Sequence, residues 1–175
     1  MLTRRNILQV GGVTLAAFVL RPAITFGADT IDLAMTGRPD GSDVWFDPIG
    51  IHIQPGQTLR WTNNDPGNAH TATAYHPAIF DRPQRIPEGA EPWDSDYLLP
   101  GESFSVTLTV PGVYDYYCVP HEHAGMVGRI VVGDALAADY TATVADPALT
   151  ALPDVALANF PAIADILAAG PISHV

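Results

Sequence analysis

Between Tyr117 and Met126 the chain reads Tyr-Cys-Val-Pro-His-Glu-His-Ala-Gly-Met, which places a thiol, an imidazole and a thioether at Cys118, His121 and Met126. A second imidazole, His70, lies well upstream beside a turn. Two imidazoles and one thiolate in a plane, with a weak thioether outside it, suit a single copper ion in both of its redox states. The thiolate favours Cu(I), the imidazoles serve either state, and the weak fourth ligand raises the potential because it stabilises Cu(II) little. Passage of one electron then demands little rearrangement. Zinc also takes Cys and His, although structural zinc sites usually carry more thiolates. Each residue alone has a plainer reading: His70 or His121 as a surface or core residue, Met126 as core packing, Cys118 as an inert buried thiol. Their joint spacing, with the single Cys at the end of a strand, is what points to a mononuclear metal site.

Such donors have to be held by a stiff frame, and the chain from Ile31 to Val132 reads as strands and turns. The expected strands are Ile31 to Leu33, Ile49 to Ile53, Thr58 to Thr62, Phe104 to Val110, Tyr114 to Cys118 and Gly128 to Val132. Val106, Leu108 and Val110 alternate with Ser105, Thr107 and Thr109, the period of a half-buried strand. Pro55-Gly56, Asn63 to Gly67, Pro100-Gly101 and Pro111-Gly112 punctuate these runs as turns. Short strands so spaced predict an all-β sandwich or barrel. Pro120 and Gly125 shorten and stiffen the loop carrying three of the candidate donors. The stretch from Pro77 to Leu99 has four prolines and no clear period, and is expected to be a surface excursion with at most a short helix or strand. After Gly133 the composition turns to Ala, Leu, Val and Pro. There Asp146-Pro147, Pro153-Asp154 and Phe160-Pro161 are placed to open short helices, and Gly170-Pro171 to end the last. Residues 134–175 are therefore expected to form an extension of short helices whose apolar side chains pack on their own domain, a partner being the alternative cover.

The amino terminus speaks of location. Thr3-Arg4-Arg5-Asn6-Ile7-Leu8 is followed by an apolar run from Val10 to Leu20 and then Arg21-Pro22, the layout of an export signal. The paired arginines resemble the twin-arginine type. The run is too short to span a bilayer core of roughly 30 Å. Cleavage near Gly27 or Ala28 would leave an exported, periplasmic or otherwise extracytoplasmic protein starting near Asp29, with no stable membrane span; an uncleaved anchor is the alternative. The 175 residues carry 8 basic side chains, all arginine, against 19 acidic ones, for a net charge of −11. A chain so negative is a poor ligand for nucleic acid or anionic lipid. With 47% apolar residues it has enough material for one packed domain, and one Cys excludes a disulfide scaffold.

Cys118-Val119-Pro120-His121 through Ala124-Gly125-Met126-Val127-Gly128, preceded by Gly112 to Tyr117, resembles the copper loop of the plastocyanin and halocyanin branch of the cupredoxins. Trp61 to Asp65, leading to His70, is similar to the family segment that delivers its upstream histidine. Pro100 to Phe104 resembles the approach to the penultimate strand. The resemblance covers Ile31 to Val132, within a domain expected over residues 29–133. It implies a Greek-key β-sandwich with one type 1 copper bound by His70, Cys118, His121 and Met126. It also implies that His121 reaches the surface in an apolar patch where redox proteins dock as electron donor and acceptor. Three departures stand out. Thr71 replaces an asparagine common after the upstream ligand, which would alter the hydrogen bonds around the thiolate. His123 stands where plastocyanins commonly have glycine, and His76 adds a further imidazole six residues beyond His70. His76 and His123 are either solvated surface residues or part of a second copper site.

The reading that follows is a one-electron carrier rather than an enzyme, because the metal is itself the reactive group. A small copper enzyme or sensor would need the second site at His76 and His123. A copper carrier would favour exposed, exchangeable ligands, and the tight loop speaks against it. No Ser-His-Asp set, phosphate-cradling glycine loop or paired-carboxylate motif supports other catalysis. His52 is expected to point outward from a strand.

Overall fold

The computed structural model describes residues 30–41, 43–134 and 152–174. The expected export signal over residues 1–28 and the helix start at Asp146-Pro147 lie outside them. Eight strands form: β1 (Thr30–Gly37), β2 (Val44–Asp47), β3 (Gly50–Ile53), β4 (Gln57–Asn63), β5 (Thr73–Ala74), β6 (Ser103–Leu108), β7 (Gly112–Tyr117) and β8 (Val127–Val132). They make two four-stranded sheets, ordered β2-β1-β4-β6 and β3-β8-β7-β5. Each sheet is mixed, with β1 parallel to β4 and β3 parallel to β8 and the other pairs antiparallel. Every connection from β2 to β7 changes sheet, so of the sandwich or barrel that the strand spacing allowed, the chain forms the sandwich that the family resemblance implied.

The six expected strands all form, within a few residues of their expected bounds, and β2 and β5 are additional. Alternation places Leu33, Met35, Phe46, Leu59 and Trp61 inside from one sheet, facing Ile51, Ile53, Tyr114, Tyr116 and Ile130 from the other. Phe46 and Trp61 both lean on Tyr116, with ring centroids 4.7 and 5.2 Å apart. Burial of each such side chain contributes about 1.5–3 kcal/mol. On the solvent side of β4 and β6, Thr58 pairs with Thr107 and Thr62 with Ser103 through their hydroxyls. Strand β6 stops at Leu108, short of the expected Val110, whose carbonyl instead accepts the Tyr114 hydroxyl.

Strand β7 departs from simple alternation because all six of its residues are buried. Its outer face is covered by Tyr75, Arg82 and Arg85, with the carboxy-terminal segment beyond them, where helices α1 (Asp154–Asn159) and α2 (Ile163–Ala169) form. Pro153 caps α1 as its position suggested, and α2 begins after Ala162, two residues beyond Phe160-Pro161. Leu152 and Ala156 join Tyr75, Tyr117 and Val127 in a second apolar cluster. Ile172 exchanges backbone hydrogen bonds with Gly50 at the edge of β3. Residues 152–174 therefore pack on their own sandwich, one of the two ways their apolar side chains could be covered. His174 at its end stacks on Trp45 at 4.9 Å and meets Asp43 at 3.0 Å.

Residues 77–99 are more than a surface excursion. Ile86, Trp93 and Leu98 are buried, and Trp93 stacks on Trp61 at 6.0 Å. The backbone runs beside β5, with Ala74 donating to Trp93 and Ser95 donating to Ala72. Prolines block a regular ladder here, yet three large apolar anchors suffice to seat the segment in the core. Among the described residues, no helix is long and apolar enough to cross a membrane.

Candidate metal centre

Four segments meet at one end of the sandwich. His70 lies in the connection between β4 and β5, Cys118 directly after β7, His121 at the kink of a 3-10 segment over Val119–Ala124, and Met126 directly before β8. Pro120 occupies the first turn, where its missing N–H costs nothing. Gly125 closes the turn at φ +83°, a left-handed conformation that favours glycine. Cys118 N–H donates to the Met126 carbonyl and Met126 N–H to the His121 carbonyl, so the backbone itself ties the three loop donors together.

The nitrogen Nδ1 of His70 lies 3.1 Å from Nδ1 of His121, and Cys118 Sγ lies 3.6 and 3.4 Å from those two atoms. A triangle with those edges has its corners about 2.0 Å from its centre, the length of a metal–nitrogen bond. The three donors therefore fit one ion in their plane. Among the described residues they are the one group of three His, Cys, Asp or Glu side chains so gathered. Met126 is wholly buried in the main core, in the same cluster as Cys118. His70 and Cys118 are buried too, and His121 is half-buried, so solvent reaches the centre through His121.

The surroundings favour neutral donors until a cation arrives. Burial pushes the Cys118 thiol up to about 11, and hydrogen bonds from Thr71 and His121 recover only part of that. Burial lowers His70 below the usual imidazole value against the raising effect of Asp65, and burial with the neighbouring His70 lowers His121. Neutral imidazoles are what a metal needs, and a thiolate this deep calls for a bound cation to hold its charge.

Thr71, flagged by its departure from asparagine, sits against the sulfur. Its N–H donates to Cys118 Sγ at 3.3 Å and its hydroxyl accepts from Val119 N–H at 2.8 Å. The Thr73 hydroxyl donates to Asp94, which leaves the Thr71 hydroxyl to donate to Thr73. This directed chain pins both sides of Cys118.

His76 and His123 stand outside the donor group. His123 is exposed, and His76 accepts from Ala78 N–H through its own Nδ1. His52 is half-buried and meets the Gly133 carbonyl at 2.8 Å. The excursion does reach the metal end, but through Arg82. Glu122, between the two loop histidines, is buried and accepts from both Arg82 and the Tyr75 hydroxyl. On the other side of the loop, Asn159 of α1 donates to the Gly125 carbonyl at 3.0 Å.

Sequence reasoning assigned no role to Glu122, Asn159 or Asp65. Asp65 is buried, and its Oδ2 lies 3.0 Å from His70 Nε2, on the far side of the ring from the donor group. Burial pushes its carboxyl upward, but hydrogen bonds from Asn68, Gly67 and His70 together hold it below the usual range. A carboxylate five residues before a candidate ligand, opening a Pro-Gly turn, was the available signal.

The chain is similar to known copper-binding proteins. Residues 33–133 match the family model for copper binding proteins of the plastocyanin/azurin family. The chain is 32% identical over 136 residues to chloroplastic plastocyanin of Oryza sativa subsp. indica, covering 75% of this chain and 82% of that protein. It is 36% identical over 132 residues to chloroplastic plastocyanin of Chlamydomonas reinhardtii, covering 73% and 82%. Among solved structures, a pseudoazurin from Sinorhizobium meliltoi superposes with a TM-score of 0.48 at 35% identity, over 61% of this chain and 76% of that one. With a matching model across its sandwich and a buried Cys-His-His group at its end, this chain belongs to the plastocyanin/azurin family of copper-binding proteins, the cupredoxins.

Proposed function

We propose that this protein is an exported one-electron carrier in which His70, Cys118, His121 and Met126 would hold one type 1 copper. The observation that carries the reading is the convergence of one thiol and two neutral imidazoles on a single ion-sized gap. Copper bound there would supply a reversible one-electron couple. The chain's own part is to hold the donors still. The loop backbone bonds fix Cys118, His121 and Met126 relative to one another, and the Thr71 N–H steadies the sulfur.

Electrons are proposed to enter and leave through His121, the ligand that solvent touches. Tyr97 and Leu99 are 54% and 57% exposed and flank Leu98, whose backbone pairs with His70, so apolar surface is available at this end. All five described arginines are engaged in ion pairs with Asp43, Asp32, Glu122 or Asp115. The remaining surface is acidic and would steer basic redox proteins toward it at low salt. Export rests on the Arg4-Arg5 signal and its apolar run. Nothing in the arrangement calls for a substrate pocket, and no catalytic role is assigned.

Titration of the metal-free mature protein with Cu(II) tests this. One equivalent should bind and generate an intense thiolate-to-copper absorption, and Cys118→Ala should lose that band while the sandwich stays folded. Persistence of the band in the variant, or no band in the parent protein, defeats the assignment.

A further inference from the structure

We propose that Asp65 is a positioning residue that fixes His70 for the metal and, as a carboxylate behind that ring, holds the reduction potential of bound copper down. The proposal deepens the copper reading above and rests on it.

A neutral imidazole carries one proton, and an ionised carboxylate can only accept. With Asp65 Oδ2 3.0 Å from His70 Nε2, the proton belongs on Nε2, and the lone pair of Nδ1 is turned toward His121 and Cys118. Ligating histidines are commonly oriented through the other ring nitrogen in this way, and a carboxylate partner makes the ring a better donor.

The carboxylate is itself built in. Oδ1 accepts from Gly67 N–H and Oδ2 from the Asn68 amide, both at 2.8 Å. Asp65 N–H donates to Asn63 Oδ1, and the Asn63 amide is held in turn by the carbonyls of Asn68 and Leu98. Room for it comes from β1. A Cβ at Gly37 would lie 2.4 Å from Asp65 Oδ2, so glycine at that position leaves the space the oxygen fills. The ion pairs of the five described arginines all go elsewhere. The positive charge facing Asp65 is therefore that which reaches it through His70.

Charge arithmetic sets the direction. A cupric ion with one thiolate amounts to +1, which the Asp65 carboxylate brings to zero. The cuprous state with the same groups amounts to −1 in a buried setting, where unbalanced charge is costly. Asp65 thus favours the oxidised state.

The test compares copper-loaded parent protein with Asp65→Asn, whose side-chain oxygen can still accept from His70. The thiolate absorption should survive. Affinity for Cu(II) relative to Cu(I) should fall about tenfold, within the usual range for losing an outer partner, which raises the potential by about 59 mV. An intact band with an unchanged potential overturns the proposal. A measurement independent of copper is nitrogen-15 NMR of the His70 ring in the metal-free parent protein, where the proton is expected on Nε2. A ring protonated on Nδ1 overturns the proposal even if Asp65→Asn fails to fold. Absence of the coloured copper complex in the parent protein would instead refute the copper reading and leave the ring measurement to decide the role of Asp65.

Discussion

Replacement of Gly125 by alanine tests how the ligand loop is held. The residue sits at φ +83°, where an L side chain costs about 1–2 kcal/mol relative to glycine. Its new Cβ would meet Asn159 Nδ2 at 2.4 Å and Val155 Cγ2 at 3.1 Å, both on α1. The Asn159 amide is the end of a short side chain and can swing away, so the clash is relieved by giving up its bond to the Gly125 carbonyl. That loss is worth about 0.5–1.5 kcal/mol. Gly125→Ala should therefore destabilise the metal-free protein by about 2–3 kcal/mol in urea unfolding, within the 5–15 kcal/mol typical of a domain. In an Asn159→Ala background the amide is already gone, and the same substitution should cost only about 1–2 kcal/mol. The difference is a double-mutant coupling between the loop and the tail. Equal costs in the two backgrounds would mean that α1 is not seated on the loop, and a total cost below about 1 kcal/mol would contradict the left-handed turn.

Glu122→Ala leaves the Tyr75 hydroxyl and Arg82 without their shared partner. The penalty for breaking a buried pair is 3–5 kcal/mol, so with Arg82 partly exposed about 3 kcal/mol is expected from the urea midpoint, and Glu122→Gln should cost less because Tyr75 keeps an acceptor. Met126→Gln should lower the reduction potential of the copper protein, since a harder oxygen donor stabilises Cu(II), and voltammetry showing no shift would remove Met126 from the ligand set. His123→Ala should leave the copper stoichiometry at one and the visible spectrum unchanged, whereas loss of a second equivalent would establish another site.

These perturbations act on one design. The ligand loop is pinned from within by its own backbone bonds, from the excursion by Arg82 and Tyr75 on Glu122, and from the tail by Asn159 on Gly125. A centre that exchanges one electron benefits from such restraint, because donor positions suitable for both oxidation states need not move when the charge changes. The tail is fastened further along the sheet, where Arg129 donates to the Pro161 carbonyl while pairing with buried Asp115, and Arg85 and Arg129 both cover Phe160. Removing one partner of that buried group would strand a charge.

The donor types, their loop and the strands that carry them were legible in the sequence because each is a local property. Cys118, His121 and Met126 lie within one short loop between β7 and β8, and two-residue alternation marks half-buried strands wherever the chain repeats it. His70 was reachable through the turn beside it. The excursion was misjudged because proline spacing is also local, whereas the seating of Ile86, Trp93 and Leu98 depends on the core they enter. The supports of the centre followed the same rule. Asn159 reaches Gly125 across 34 positions and Arg82 reaches Glu122 across 40. Gly37 of β1 makes room for Asp65, and the burial of β7 on its outer face comes from Tyr75, Arg82 and Arg85, far before it in the chain. Pairings of that kind exist only once both sheets and the tail have closed, since closure alone sets which side chains share a space and which polar atoms must find partners there. The sequence alone decided which chemistry the chain could offer, and the tertiary structure decided how that chemistry is held and tuned.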